Sequence, residues 1–229
     1  HLSSSDTIDG GAGTDELRFT DSGSATSDLD GVTNVETVTL GDAATSVTTV
    51  DALVGSEETL TLSAAALKGT NALIWDGSAE TNGSFNITGS SQADTIKGGA
   101  GADTITGGAG ADTFYFSTGN ESTVLSLDTV TDFISGADKF VFSSKPNQVI
   151  TSSHYSVDGT GHLQNDISQA VVSGGIETDV AVYVLEIKGI WEGNYLFFDE
   201  NADNNVGIDE IVINLGENSD TVLSVSDFI

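Results

Sequence analysis

Three aspartates, Asp94, Asp103 and Asp112, recur nine residues apart, each followed two places later by a large apolar residue, Ile96, Ile105 or Phe114. They belong to the units GSSQADTIK (89–97), GGAGADTIT (98–106) and GGAGADTFY (107–115). A second block opens the chain, where HLSSSDTID and GGAGTDELR put Asp6 and Asp15 at the same position. Glycines at such density let the backbone take positive φ and turn its carbonyls inward, which a residue with a Cβ does only at a cost. Carbonyl oxygens joined to one carboxylate per turn suit a hard cation, and Ca²⁺ takes six to eight oxygens at about 2.3 to 2.6 Å. The candidate ligands are therefore the carboxylates of Asp6, Asp15, Asp94, Asp103 and Asp112. Main-chain ligands are expected from Gly10, Ala12, Gly98, Ala100, Gly101, Gly107, Ala109 and Gly110. The unit at Gly89 has Ser90, Ser91 and Gln92 in place of the usual small residues, and the first unit has no glycine. Weaker or empty sites are expected there, and the strongest at Gly98 to Asp112.

Such turns need strands to hold them. In Asp-Thr-Ile the apolar residue faces one way and its neighbours the other. Two nine-residue units then make one coil with a turn and a strand on each side, so equivalent turns stack two units apart at a strand spacing of about 4.8 Å. Asp94 and Asp112 fall on one edge and Asp103 on the other. The fold expected is all-β, a parallel β-roll or β-helix with a C-terminal β-rich cap. Between the repeat blocks, β-like stretches at Val35 to Leu40, Thr59 to Leu62, Leu73 to Trp75 and Phe85 to Thr88 read as further rungs, and Ala64 to Lys68 as a single helical turn. Residues 1–143 form the predicted coil, with repeat blocks at 1–18 and 89–115, and 144–229 the cap. In the cap, strands are expected at Val180 to Gly189, Asn194 to Asp199 and Glu210 to Leu215, antiparallel, with a short helix at Asp166 to Ser173.

Composition narrows the partners. There are 35 Asp and Glu against 6 Lys and Arg, a formal charge of −29, which disfavours nucleic acid and anionic membrane surfaces. Two carboxylates about 5 Å apart at an effective dielectric of 20 repel by roughly 3 kcal/mol, so a compact fold of this chain calls for cations. The absence of cysteine removes disulfides, thiolate metal sites and Cys nucleophiles. No apolar run approaches the ~18 residues of a membrane span, so no membrane insertion is expected. With His1 in place of an initiator Met, the chain reads as a fragment of a longer one.

A second calcium loop is suggested at 199–210, DENADNNVGIDE, with Asp199, Asn201, Asp203, Asn205 and Glu210 at positions 1, 3, 5, 7 and 12 of an EF-hand-style loop. Against it, Asn204 stands where glycine is usual and the flanks read as strands; the alternative is a polar hairpin loop. Catalytic residues are not expected. His1, His154 and His162 lie in no metalloprotease pattern, and His154 and His162 read as exposed loop residues. There is no GxSxG elbow. Trp75 and Trp191 read as core or cap packing more readily than as sugar platforms.

With GGAGADTIT, GGAGADTFY and GGAGTDELR as its evidence, the chain resembles RTX (repeats-in-toxin) proteins. DTVTDFISGADKF (128–140) is similar to the segment that follows the roll in that family, which adds Asp128 and Asp132 to the candidate metal residues. YLFFDENADNNVGIDEIVINL and SDTVLSVSDFI resemble its C-terminal end. The resemblance implies a Ca²⁺-binding β-roll, export by type I secretion machinery through an uncleaved C-terminal signal, and folding outside the cell or at its surface. The middle segment is most similar to units of large surface-layer and adhesin-like proteins, which implies a structural role with self-association into an array. The alternative is the non-catalytic secretion tail of an extracellular protease or polysaccharide lyase.

Overall fold

A computed structural model describes residues 2, 4–19, 29–43, 45–116, 121–123, 125–146, 148–156, 181–188, 193–199, 211–217 and 219–229. Two compact units divide the chain, His1–Tyr115 and Phe116–Ile229. The residue-143 boundary of the sequence reading lies inside the second.

The first unit is a parallel β-solenoid. Its strands are β1 (Ile8–Asp9), β2 (Glu16–Phe19), β3 (Val32–Thr33), β4 (Thr37–Leu40), β5 (Thr45–Thr48), β6 (Thr59–Ser63), β7 (Leu73–Asp76), β8 (Ser84–Thr88), β9 (Thr95–Lys97), β10 (Thr104–Thr106) and β11 (Thr113–Phe116). One sheet runs β10-β8-β6-β4-β2, a second β11-β9-β7-β5, and β1 pairs with β3. Every pair is parallel, because the chain returns to each sheet only after crossing the other. In the repeats Thr104 pairs with Asn86 and Thr113 with Thr95, each pair offset by two repeat lengths, as the period requires. Elsewhere the coils are longer than two repeat lengths, Thr37 pairing with Thr61 and Thr45 with Leu73.

Alternation within each short strand aligns the apolar residues into columns. Leu17, Val38, Leu62, Ile87 and Ile105 stand in register in one sheet, and Val47, Trp75, Ile96 and Phe114 in the other. All but Leu17 are at most 1% exposed. Each fully buried aliphatic or aromatic contributes about 1.5 to 3 kcal/mol, so the columns are the main cohesive term of a unit without disulfides. Trp75 is a core residue, edge-on to Phe85 at 5.3 Å between ring centroids. The helical turn expected at Ala64 to Lys68 is instead a reverse turn closed by Leu67 N–H donating to the Ala64 carbonyl at 3.0 Å. A connection this short, held at both ends by strands, leaves no room for helix propagation, which begins from an unfavourable first turn.

The second unit contains β12 (Asp128–Val130), β13 (Lys139–Phe142), β14 (Gln148–Ser156), β15 (Ala181–Lys188), β16 (Gly193–Asp199), β17 (Ile211–Leu215) and a 3₁₀ turn at Val225–Asp227. Strands β15, β16 and β17 pair antiparallel, as expected of the cap, whereas β14 pairs parallel with β15 and β12 parallel with β17. His154, expected in a loop, lies in β14; Val149 and Ile150 and the β-favouring Thr151 and Tyr155 around it carry the strand through the polar stretch. The helix expected at 166–173, His162 and Trp191 lie outside the described residues.

Aromatic stacking and one carboxylate secure the end of the chain. Phe133 stacks on Phe140 at 4.3 Å and Phe142 on Phe198 at 4.4 Å, while Phe228 lies 5.6 Å from Phe142. Next to Phe228, the buried Asp227 accepts hydrogen bonds from Gly136 N–H, Ser224 N–H and Ser135 Oγ at 2.8, 2.8 and 2.9 Å. Burial alone would push its carboxyl up, but these donors and the Ser224 hydroxyl together outweigh burial and hold it below the usual carboxylate range. A depressed folded value means stability that is present above the unfolded pKa of about 3.9 and lost as the pH falls through the folded one. Asp227→Asn should therefore unfold at lower temperature at pH 7 and show a shallower loss of stability from pH 5 to 2. Thermal melts across that range would reveal it, and parallel curves for the two proteins would contradict the assignment.

Candidate metal centres in the glycine turns

The turns that precede the nonapeptide strands use backbone that glycine alone adopts without strain. Gly99, Gly108 and Gly110 have φ of 141°, 99° and 140°. Space makes the same demand. A Cβ on Gly108 would overlap the Ser90 carbonyl oxygen and one on Gly110 that of Gln92, in each case from the turn one coil earlier; one on Gly101 would overlap that of Gly83. Carbonyl oxygens of one turn thus pack directly against the Cα atoms of the next, and no side chain stands between them.

The repeat aspartates lie beneath these turns. Asp94, Asp103 and Asp112 are each 1% exposed. One oxygen of each holds the backbone of the preceding coil: Asp94 Oδ1 accepts from Leu73 N–H at 2.7 Å, Asp103 Oδ1 from Phe85 N–H at 2.7 Å and Asp112 Oδ1 from Asp94 N–H at 2.9 Å. The second oxygen faces the first glycine of its own turn, since a Cβ on Gly89, Gly98 or Gly107 would run into Oδ2 of Asp94, Asp103 or Asp112. The carboxylate is therefore both a strut between coils and an anionic atom beneath a carbonyl-rich turn. At Asp94 the serine of the degenerate unit fills part of this role, Ser90 Oγ donating to Oδ1 at 2.8 Å and Ser90 N–H to Oδ2 at 2.5 Å.

Sequence reasoning missed two acids of this system. Glu36 Oε2 accepts from Asp15 N–H at 2.7 Å, the bond that Asp112 makes to Asp94, although Glu36 belongs to no repeat. Glu80, 1% exposed, lies in the turn before Asp103; its Oε1 accepts from Thr81, Asn82 and Gly83 N–H at 3.1, 3.1 and 2.8 Å. At Asp103, burial pushes the carboxyl up, the Phe85 N–H opposes that, and the Glu80 charge raises it again, to about 7. A cation bound beside Asp103 near neutral pH would displace a proton held there. No nine-residue offset connects either glutamate to the repeats, so periodicity could not reveal them.

Other expected ligands are more scattered. In the N-terminal block Asp15 is half-buried and Asp6 exposed. Asp128 and Asp132 belong to the second unit, where Asp128 is buried in β12 and takes its place through Asp128 N–H donating to Ser122 Oγ at 2.9 Å. Asp199 ends β16, while Asn201, Asp203, Asn205 and Glu210 lie outside the described residues.

Among the described residues, the buried carboxylate oxygens Asp15 Oδ2 and Glu80 Oε2 accept no hydrogen bond. An orphaned anionic oxygen beside packed carbonyls is costly in isolation and suits a hard cation. Among the described residues no group of three or more acidic or histidine side chains could hold a metal by side chains alone. The oxygen-rich part of each turn is its backbone. A family model for the RTX calcium-binding nonapeptide repeat matches four copies in the chain, at residues 3–19 and 88–120.

The chain carries RTX calcium-binding repeats.

RTX nonapeptide repeats bind Ca²⁺, and the glycine turns above Asp94, Asp103, Asp112 and Asp15 are these repeats. No curated protein matches the chain. An RTX repeat β-roll is a structural calcium-binding domain, and a calcium ion held by these turns would supply positive charge to offset the buried carboxylates. The chain's own residues supply the rest: glycines bring the turns close, aspartates connect coil to coil, and the apolar columns fill the interior.

Proposed function

We propose that this chain is a calcium-set structural module of a secreted protein of the surface-layer type, exported through type I machinery and folded outside the cell. RTX repeat proteins are typically secreted, and among the described residues no helix is long and apolar enough to cross a membrane. The observation that carries the reading is the burial of the repeat carboxylates between stacked coils, beside carbonyl-rich turns, in a chain of formal charge −29. Without cations such a stack carries uncompensated repulsion; with them it closes. Calcium-poor cytoplasm would keep the chain loose for export and calcium-rich surroundings would set it, using extracellular-type affinities of about 0.1 to 1 mM.

Self-association into an array is the further part of this reading, and the edge of the solenoid sheet supports it. Among the described residues β2 ends its sheet, an edge to which a further strand could add. Its exposed pair Arg18 and Glu16, 3.0 Å apart, would favour a charge-complementary partner over indiscriminate strand addition. Light scattering during calcium addition tests this. Growth into large, chelator-reversible particles is expected; a particle of constant size from chelator to about 10 mM calcium, a range wider than extracellular-type affinities, would leave the secretion tail of an extracellular enzyme as the better reading.

A further inference from the structure

We infer that Glu80, which lies outside the repeats, supplies a carboxylate to a calcium site shared between the turn at Gly77–Gly83 and the repeat turn at Gly98–Asp103. The inference rests on the calcium reading of the repeats and assigns them a ligand that their motif does not contain.

The two turns are stacked neighbours. Gly77 N–H donates to the Lys97 carbonyl at 2.9 Å, and Ala100 N–H to the Glu80 carbonyl at 3.2 Å. Gly99 makes the approach possible: at φ 141° its Cα lies so near that a Cβ would stand 2.8 Å from the Gly77 carbonyl oxygen and 3.1 Å from that of Glu80. The Glu80 side chain is then held in place by one oxygen only. Three consecutive backbone N–H groups, those of Thr81, Asn82 and Gly83, converge on Oε1, while Oε2 is buried and accepts nothing. Locking an acid so firmly by one oxygen while leaving the other without a donor makes sense when that second oxygen faces a cation.

The turn GSAETNG (77–83) has no aspartate before its strand, so a site between it and the next repeat would lack the carboxylate that the earlier turn contributes elsewhere. Glu80 restores that charge from within the turn. The Asp103 carboxylate and the carbonyls of the Gly98–Gly101 turn are the remaining oxygen donors within the same stack. Calcium affinity follows the number of charged ligands, so the loss of one should be felt at this site and not at that between the turns at 89–94 and 107–112.

Glu80→Gln keeps an oxygen for the three N–H groups and replaces Oε2 with a neutral amide. Equilibrium dialysis with radioactive calcium on the full chain should show one ion fewer at about 1 mM calcium, or one site weakened about tenfold or more, with the others unchanged. Glu80→Asp, which keeps the charge but withdraws it by one methylene, should fall between the two and gives the answer should the glutamine variant not fold. If either folded variant matched wild type in number and affinity of bound ions, Glu80 would not be a ligand, while the repeat sites would stand. If the wild-type chain bound no calcium, the parent reading would fall and take this inference with it.

Discussion

Calcium added to the chelated chain should produce a cooperative gain of far-ultraviolet β signal between about 0.1 and 10 mM, together with a large rise in thermal midpoint. The magnitude follows from mass action. A site at tenfold excess of ligand over its dissociation constant adds about 1.4 kcal/mol, so three such sites add about 4 kcal/mol, a large fraction of the roughly 5 to 15 kcal/mol that holds an ordinary domain. The direct electrostatic term has the same sign. Asp103 sits at 1% exposure, and burial, opposed by the Phe85 N–H and reinforced by the Glu80 charge, raises its pKa to about 7. Because that folded value lies above the unfolded one of about 3.9, the group makes the calcium-free fold less stable as the pH rises from about 4 to 7, and calcium should matter more at pH 7.5 than at pH 5. Circular dichroism in chelator and in calcium at the two pH values measures both effects. An equally folded chain with no bound calcium at either pH would refute the central assignment.

Gly108→Ala should lower stability by about 3 kcal/mol or more, against about 1 to 2 kcal/mol for Gly69→Ala. Both glycines have positive φ, 99° and 66°, so both variants carry the penalty of a left-handed alanine. They differ in what the new methyl meets. Nothing lies within 4 Å of a Cβ on Gly69, whereas one on Gly108 overlaps the Ser90 carbonyl oxygen of the coil below. Relief requires the turns at 89–94 and 107–112 to move apart, which also spoils the carbonyl packing between them. The Gly108 variant should accordingly weaken calcium binding and the Gly69 variant should not. Thermal melts in chelator and in calcium separate the two effects, and equal losses for both variants would mean that the close approach of turns plays no part in stability.

Much of the coil was legible because its information is local. A nine-residue period with glycine, aspartate and isoleucine at constant offsets forces turn, carboxylate and inward apolar residue to recur, whatever the rest of the chain does. Hence the two-unit register of Thr104 with Asn86 and Thr113 with Thr95, and the buried columns ending in Ile105 and Phe114, could be anticipated. The interior rungs were also visible, since alternation in TLTLS and SFNIT exposes a strand without reference to its neighbours. The parallel pairing of β14 with β15 was not, because the whole segment 157–180 stands between the two strands and no local signal records the direction of return.

By themselves, the residues determined the coil's period, its cation chemistry and which face of each strand is buried. Tertiary structure alone decided which acids join the turns. Glu36 reaches Asp15 and Glu80 reaches the Asp103 turn across coils longer than two repeat units, so their positions along the chain carry no regular offset. It also decided what the repeat aspartates do besides attract cations, for the N–H groups they accept belong to Leu73, Phe85 and Asp94 in the coil below. The physical reason is common to both: a period specifies what recurs within one coil, whereas coordination and hydrogen bonding between coils depend on which backbone the stacking brings within about 3 Å.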